Sequence, residues 1–254
     1  MSGIVFIISA PSGSGKTTLT AELRRVVPNL EFSISYTTRL PRGSEQNGRE
    51  YFFIRREEFE KMVRDDQFVE YAEVFDNYYG TARSVLQEAF ARGNDVILDI
   101  DVQGAAKVKR KIPEAASIFV LPPSRQELES RLRRRTETEN EERHKSTGEV
   151  MPAEKIEAII QRRLQGASRE IENYSQYDYI LVNEKVEPAI DILQAIVTAE
   201  RAKLSAFLRG GEEERALAIA RLAERPHMME KVRSILATFD FPVHAANGVT
   251  NEAS

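Results

Sequence analysis

The segment that most constrains this chain is Ser9-Ala10-Pro11-Ser12-Gly13-Ser14-Gly15-Lys16-Thr17-Thr18, which comes directly after the apolar run Ile4 to Ile8 and opens a helical pattern at Lys16. A strand, a glycine-rich turn and a helix in direct succession are what a phosphate-binding loop requires. The glycines let the backbone curl until successive N–H groups point at phosphate oxygens, and the helix N-terminus adds its positive end. Lys16 is predicted to neutralise β- and γ-phosphate charge, and the Thr17 hydroxyl to coordinate a Mg²⁺ that bridges the same phosphates. The predicted ATP contacts are therefore Ala10, Pro11, Ser12, Gly13, Ser14, Gly15, Lys16, Thr17 and Thr18. The strict pattern has glycine where Ala10 stands, a mild change because Gly13, Gly15 and Lys16 approach phosphate most closely. A flexible Ser/Gly turn ahead of a helix is the plainer explanation, and the register of strand, loop and helix argues against it.

Val96-Ile97-Leu98-Asp99 reads as a buried strand ending in a carboxylate, the place where such proteins put an acid that helps hold Mg²⁺. Taken alone, Asp99 is by default a turn or capping residue; coupled to the phosphate loop, it reads as that acid. Further short apolar runs, Ser117 to Leu121 and Tyr179 to Val182, alternate with helical stretches at Arg125 to Arg135 and Ala189 to Leu208. That alternation predicts an α/β fold with a parallel sheet core flanked by helices. Between the first helix and Val96, the runs Phe32 to Tyr36, Tyr51 to Ile54 and Phe68 to Tyr71 predict a small antiparallel insert. Arg133 to Val150 is so charged that it reads as a solvated, mobile segment. After Gly210 and Gly211, two short amphipathic stretches are broken by Pro226. The second carries Val232, Ile235, Leu236 and Phe239 on one face, a stripe for packing or for a partner. From Ala245 onward the composition predicts a disordered tail.

With no cysteine, and with His144, His227 and His244 the only histidines, thiolate chemistry and Cys-based zinc sites are excluded and no imidazole cage is expected. A formal charge of −4 argues against broad nucleic-acid binding and confines any anion site to local arginines. The first apolar run is too short to span a membrane and lacks a basic lead, so a soluble cytoplasmic protein without a membrane partner is expected.

A phosphate loop does not name a reaction. The decisive segment is Ser33-Ile34-Ser35-Tyr36-Thr37-Thr38-Arg39-Leu40-Pro41-Arg42-Gly43-Ser44-Glu45, continued through Gly48-Arg49-Glu50-Tyr51, Phe68-Val69-Glu70-Tyr71-Ala72, Asn77-Tyr78-Tyr79-Gly80-Thr81 and Leu98-Asp99-Ile100-Asp101-Val102-Gln103-Gly104. In this order the motifs resemble the guanylate kinase family over roughly Gly3 to Leu204. The resemblance implies the fold of a P-loop nucleoside monophosphate kinase with a helical lid, transfer of the γ-phosphoryl group of ATP to GMP and dGMP, and a place in purine nucleotide metabolism and GMP recycling. It implies that Glu70 accepts from guanine N1 and N2, that Asp101 supports that edge, and that Ser35 and Thr81 donate to O6. Arg39, Arg42, Tyr51 and Tyr79 are assigned to the GMP phosphate, with Glu45 holding an arginine in place. Lys16, Arg39 and the lid arginines Arg135 and Arg163 are the expected catalytic groups, Thr17 and Asp99 the expected metal ligands, and Asn183 an adenine contact.

These readings give a kinase domain over residues 1–208, with a GMP-binding insert at about 32–95 and a lid at about 131–165, and an extension over 209–254. Because every matched motif precedes Gly211, deleting the residues after it is expected to leave the chemistry intact. The lid carries Glu139 to Met151 beyond the usual family pattern. Two other readings stand beside the enzyme: a guanylate kinase-like interaction module, and a kinase of different base preference. A homo-oligomer is left open.

Overall fold

The first apolar run becomes β1 (Val5–Ser9), buried at every residue, which demands cover on both faces. The computed structural model, which describes residues 3–41, 43, 45–74, 76–204 and 210–239, supplies that cover. After β1 the chain forms α1 (Lys16–Val26), β2 (Leu30–Phe32), β3 (Tyr36–Thr37), β4 (Phe52–Phe53), α2 (Arg56–Arg64), β5 (Phe68–Val74), β6 (Asn77–Ala82), α3 (Arg83–Ala91) and β7 (Asp95–Asp99). It continues with α4 (Val102–Lys111), β8 (Ala116–Leu121), α5 (Arg125–Thr147), α6 (Ala153–Ile171), β9 (Tyr179–Val182), α7 (Val186–Leu204), α8 (Gly211–Ala223) and α9 (Arg225–Ala237). The main sheet has the order β2-β7-β1-β8-β9 and every pairing in it is parallel.

Side chains alternate between the faces of a strand, and the cores divide accordingly. Val5, Ile7, Val96, Leu98, Phe119 and Ile180 pack with α3, α4, α5, α6 and α9. Phe6, Ile8, Ile97, Ile118, Val120 and Leu181 pack with α1, α7 and α8. The stretch after Gly210 therefore contributes to both cores: Ala220 and Ala223 on one side, Val232, Ile235 and Phe239 on the other. The expected packing stripe on α9 is an intramolecular one. Residues 205–208, expected to continue α7, and the tail from Ala245 lie outside the described residues.

Two expectations are corrected. The small sheet, ordered β4-β3-β6-β5, is mixed and not wholly antiparallel, because β3 and β4 run parallel. Its expected first strand is also split: Leu30–Phe32 pairs with β7 in the main sheet, and the chain crosses to the small sheet between Ser33 and Ser35. Second, most of the charged stretch is a continuation of α5 as far as Thr147. It has no apolar stripe, and it is held by i,i+4 ion pairs such as Arg133–Glu129 and Arg135–Glu139. Gly148, at φ 75°, terminates it, with its N–H bonded to the His144 carbonyl. A short turn then leads into α6, which packs back on α5 through Arg133–Glu157 and Arg163–Glu139.

Candidate active site

The loop after β1 is shaped by Gly13 and Gly15, at φ 90° and 88°, and by a bond from the Ser14 N–H to the Pro11 carbonyl. Both glycines are enforced by their neighbours as well as by φ. A Cβ on Gly13 would lie 2.9 Å from Leu128 Cδ1 and 2.9 Å from Leu132 Cδ2, so the stem of α5 presses directly against the loop. A Cβ on Gly15 would lie 2.4 Å from Asn183 Nδ2. Asn183, the expected adenine contact, is buried beneath the loop and donates its amide to the Ser14 carbonyl at 2.8 Å. Arg131 joins the same chain of contacts by donating to the Asn183 carbonyl at 3.0 Å. Ala10 is half-buried, its methyl packed with the core on the α1 side, so the missing first glycine is filled without conflict. Gly13→Ala is expected to cost about 2–4 kcal/mol, from a left-handed backbone plus a core clash. Thermal melting of that variant with and without ATP measures it, and an unchanged transition would refute the loop–stem contact.

Lys16 lines a cleft above the loop and forms an ion pair with Asp99 at the end of β7, each about one-fifth exposed, at 21% and 19%. Thr17 and Thr18 are exposed at the start of α1 and line a cleft of about 770 Å³. Its opposite wall comes from α5, with Arg131, Arg134, Arg135, Thr138 and Glu139. Mg²⁺ characteristically keeps several waters and takes one or two protein ligands beside the phosphates, and the Thr17 hydroxyl with the Asp99 carboxylate fits that donor set. Glu170 of α6 also lines the cleft. Burial and the charge of Asp101 raise its pKa, against a bond from the Ser12 N–H and the charge of Lys16. Arg131, Arg134 and Glu170 were not singled out from the sequence, since each is one more charge in a charged helix until the fold brings it to the loop.

On the insert, Glu70 of β5 is 5% exposed and lies opposite Thr81 in the strand register. The Thr81 hydroxyl, expected to face guanine O6, donates to Glu70 Oε1 at 2.9 Å. Ser35 immediately precedes β3, whose Tyr36 pairs with Gly80 beside Thr81, and Thr81 and Glu70 form a row at this end of the small sheet. Gly104 of α4 closes the row: a Cβ there would lie 3.0 Å from Glu70 Oε2 and 3.3 Å from Asp101 Oδ1. Asp101 caps α4, accepting from the Gly104 N–H at 2.7 Å. Burial first, then the charge of Asp101, push the Glu70 pKa up to about 7.

Arg39 is gripped bidentately by Glu45, at 2.9 and 3.0 Å, and its guanidinium carbon sits 5.3 Å from the Tyr51 ring centre. Tyr51 meets Tyr79 edge to face at 5.9 Å. Burial, with lesser contributions from Tyr79 and Asp99, raises the Tyr51 pKa, which places this phenol within electrostatic reach of the strand end that holds Lys16. Arg42 lies outside the described residues. In the lid, Arg135 lines the cleft, whereas Arg163 does not, its guanidinium bonded to Thr136 and Glu139.

A parallel sheet, a phosphate loop with its lysine and acid, and a second site of buried acid and gripped arginine define the class: a P-loop nucleotide phosphotransferase. The guanylate kinase family model matches residues 3–200. The guanylate kinase of Koribacter versatilis is 56% identical over 239 residues, covering 94% of this chain and 97% of that protein. The Escherichia coli K12 guanylate kinase is 42% identical over 205 residues, covering 80% and 91%. The crystal structure of guanylate kinase from Anaplasma phagocytophilum matches with a TM-score of 0.59 at 30% identity, covering 87% and 96%. The chain belongs to the guanylate kinase family. Among the described residues no helix is long and apolar enough to cross a membrane.

Proposed function

We infer that this chain transfers the γ-phosphoryl group of ATP to GMP, giving ADP and GDP. The observation that carries the reading is Glu70, a nearly buried carboxylate beside Asp101, in a chain whose phosphate loop is intact. Guanine presents N1–H and N2–H₂ donors beside an O6 acceptor, so an acid facing the donors reads it, whereas adenine offers the opposite pattern. Glu70 takes the two donors, Asp101 supports the same edge, Ser35 donates to O6, and Thr81 acts through the carboxylate it already bonds. The same contacts admit dGMP.

Arg39, set by Glu45, binds the GMP phosphate together with Arg42, Tyr51 and Tyr79. A guanidinium fork held in one rotamer loses little freedom when it meets a second anion. The loop amides and Lys16 hold the phosphates of ATP, while Asn183 fixes the loop from below. Mg²⁺, held through Thr17 and Asp99, supplies charge neutralisation at the phosphates. The attacking phosphate oxygen is already largely ionised near neutral pH, because its second pKa is about 6, so no general base is needed. What remains is alignment and exclusion of water, the work of the arginine-lined wall of α5.

A coupled assay of ADP formation at equal concentrations of GMP, AMP and UMP tests this, with Lys16→Ala as control. GMP is expected to outpace the others by at least about a hundredfold. Comparable rates for all three would sink the reading of Glu70, and no turnover above the Lys16→Ala control would make the chain an interaction module.

A further inference from the structure

The strand that carries Glu70 is the outer one of the small sheet, so one of its edges has no neighbouring strand. Two lysines of α4 close that edge. Lys107 donates from Nζ to the Tyr71 carbonyl, and Lys111, one helical turn on, donates to the Phe68 carbonyl at 3.3 Å. The two acceptors flank Glu70 in the sequence. Carbonyls three residues apart in a regular strand point to opposite edges. Here the register shifts between Phe68 and Glu70, as at a β-bulge, and the extra residue lets both carbonyls face α4. Lys107 Nζ also stands 5.4 Å from the centre of the Tyr71 ring, so the same ammonium holds this residue by its backbone and by its side chain.

We propose that Lys107 and Lys111 are positioning residues for recognition of the base: they tie the strand of Glu70 to the helix that Asp101 caps, and so fix the spacing of the two acids at the guanine edge. This rests on the proposed function. Gly104 shows how tight that spacing is, since a Cβ there would touch both carboxylates. The charge of Lys107 adds a second effect. Facing Glu70 are the Thr81 hydroxyl of β6 and, from α4, Asp101 and Lys107; Asp101 disfavours the ionised carboxylate and Lys107 favours it. Lysines that served only as a solvated cover for the strand edge would set neither the spacing nor the charge.

Lys107→Met and Lys111→Met keep the apolar stems and remove the ammonium groups. In the full chain, Lys107→Met is expected to raise KM for GMP roughly fivefold and the double variant roughly twentyfold, the scale of charged hydrogen bonds near solvent, with KM for ATP and kcat at saturating GMP within about twofold of wild type. The rise of kcat/KM for GMP with pH is expected to move to higher pH in Lys107→Met, because Glu70 is harder to ionise without the positive charge. Lys107→Arg keeps the charge and is expected to restore both KM and the pH midpoint. A double variant that melts at a lower temperature, while KM for GMP and the pH midpoint stay at wild-type values, would reduce the lysines to a structural tie and overturn the proposal. An equal rise in KM for ATP would overturn it too, since the effect would not be confined to the base site. Comparable rates with GMP and AMP in the unaltered chain would refute the reading of Glu70 on which the proposal stands.

Discussion

Glu70→Gln is expected to lower kcat/KM for GMP by roughly a hundredfold to ten-thousandfold while ATP binding stays as it was. The amide keeps the shape but replaces an acceptor by an NH₂ group facing the donors of guanine. Two hydrogen bonds to a charged group, at about 1.5–3 kcal/mol each, set the scale. The charge matters as well. Burial and Asp101 raise the Glu70 pKa to about 7, with Thr81 and Lys107 acting the other way. GMP capture needs the ionised carboxylate, so kcat/KM for GMP is expected to rise as pH passes upward through about 7. The second ionisation of the GMP phosphate, near 6, contributes in the same direction, and comparison with Glu70→Gln isolates the share due to the enzyme. The linkage to stability has the opposite sign. A carboxyl whose folded pKa exceeds the unfolded 4.5 stabilises fully below that value and loses its contribution as pH rises through about 7. The nucleotide-free protein is thus expected to melt at a lower temperature on the alkaline side, and GMP to restore more of the loss there. Superimposable kcat/KM profiles in the two proteins would remove Glu70 from the base pocket.

Truncation after residue 209 is expected to lower the melting temperature by at least about 10 °C. None of the matched motifs lies in the extension, and on that ground it is dispensable for chemistry. The structure nevertheless sets Val232, Ile235 and Phe239 in the same core as Leu128 and Leu132, the leucines that bear on Gly13. Removing fully buried side chains costs about 2–5 kcal/mol apiece in large-to-small substitutions, and a domain of this size loses about 2–4 °C per kcal/mol. Polar ties go with them, among them the Arg125 N–H at the start of α5 donating to Thr238 Oγ1 at 3.0 Å, Arg225 Nε donating to the Tyr177 carbonyl at 3.1 Å, and Lys231 pairing with Glu184 at 2.7 Å. Ile235→Ala in the full chain is the milder companion, expected to destabilise without unfolding. Melting curves and KM for ATP measure both variants. A truncated chain that melts within a degree or two of the full one would show that α8 and α9 merely cover the surface.

How much was legible in the residues depends on how locally each feature is encoded. The strands β1, β7, β8 and β9 are continuous apolar runs, readable because both their faces are buried. The phosphate loop and the arms of the acceptor site are contiguous motifs, so order and spacing carried them. The strands Tyr36–Thr37 and Phe52–Phe53 are shorter than any periodicity can register, and their parallel pairing depends on the path of the chain between them. Most of Arg133 to Val150 resembled a coil because hydropathy sees no stripe, whereas its helix is written in ion pairs four residues apart. The task of Asn183 could not be read at all, since it depends on a loop 169 residues earlier.

The crossing between Ser33 and Ser35 has one more consequence. Glu70 and Thr81 ride on the insert, and Gly104 and Asp101 belong to the body, so on the proposed reading guanine would be gripped by both parts of the molecule at once. Gly104 already stands against Glu70, so a base would have to satisfy both parts together for its phosphate to lie toward the ATP side. Fidelity would then reside in that joint fit: an ill-fitting nucleotide could still touch one part, but the reactive arrangement would not be completed around it.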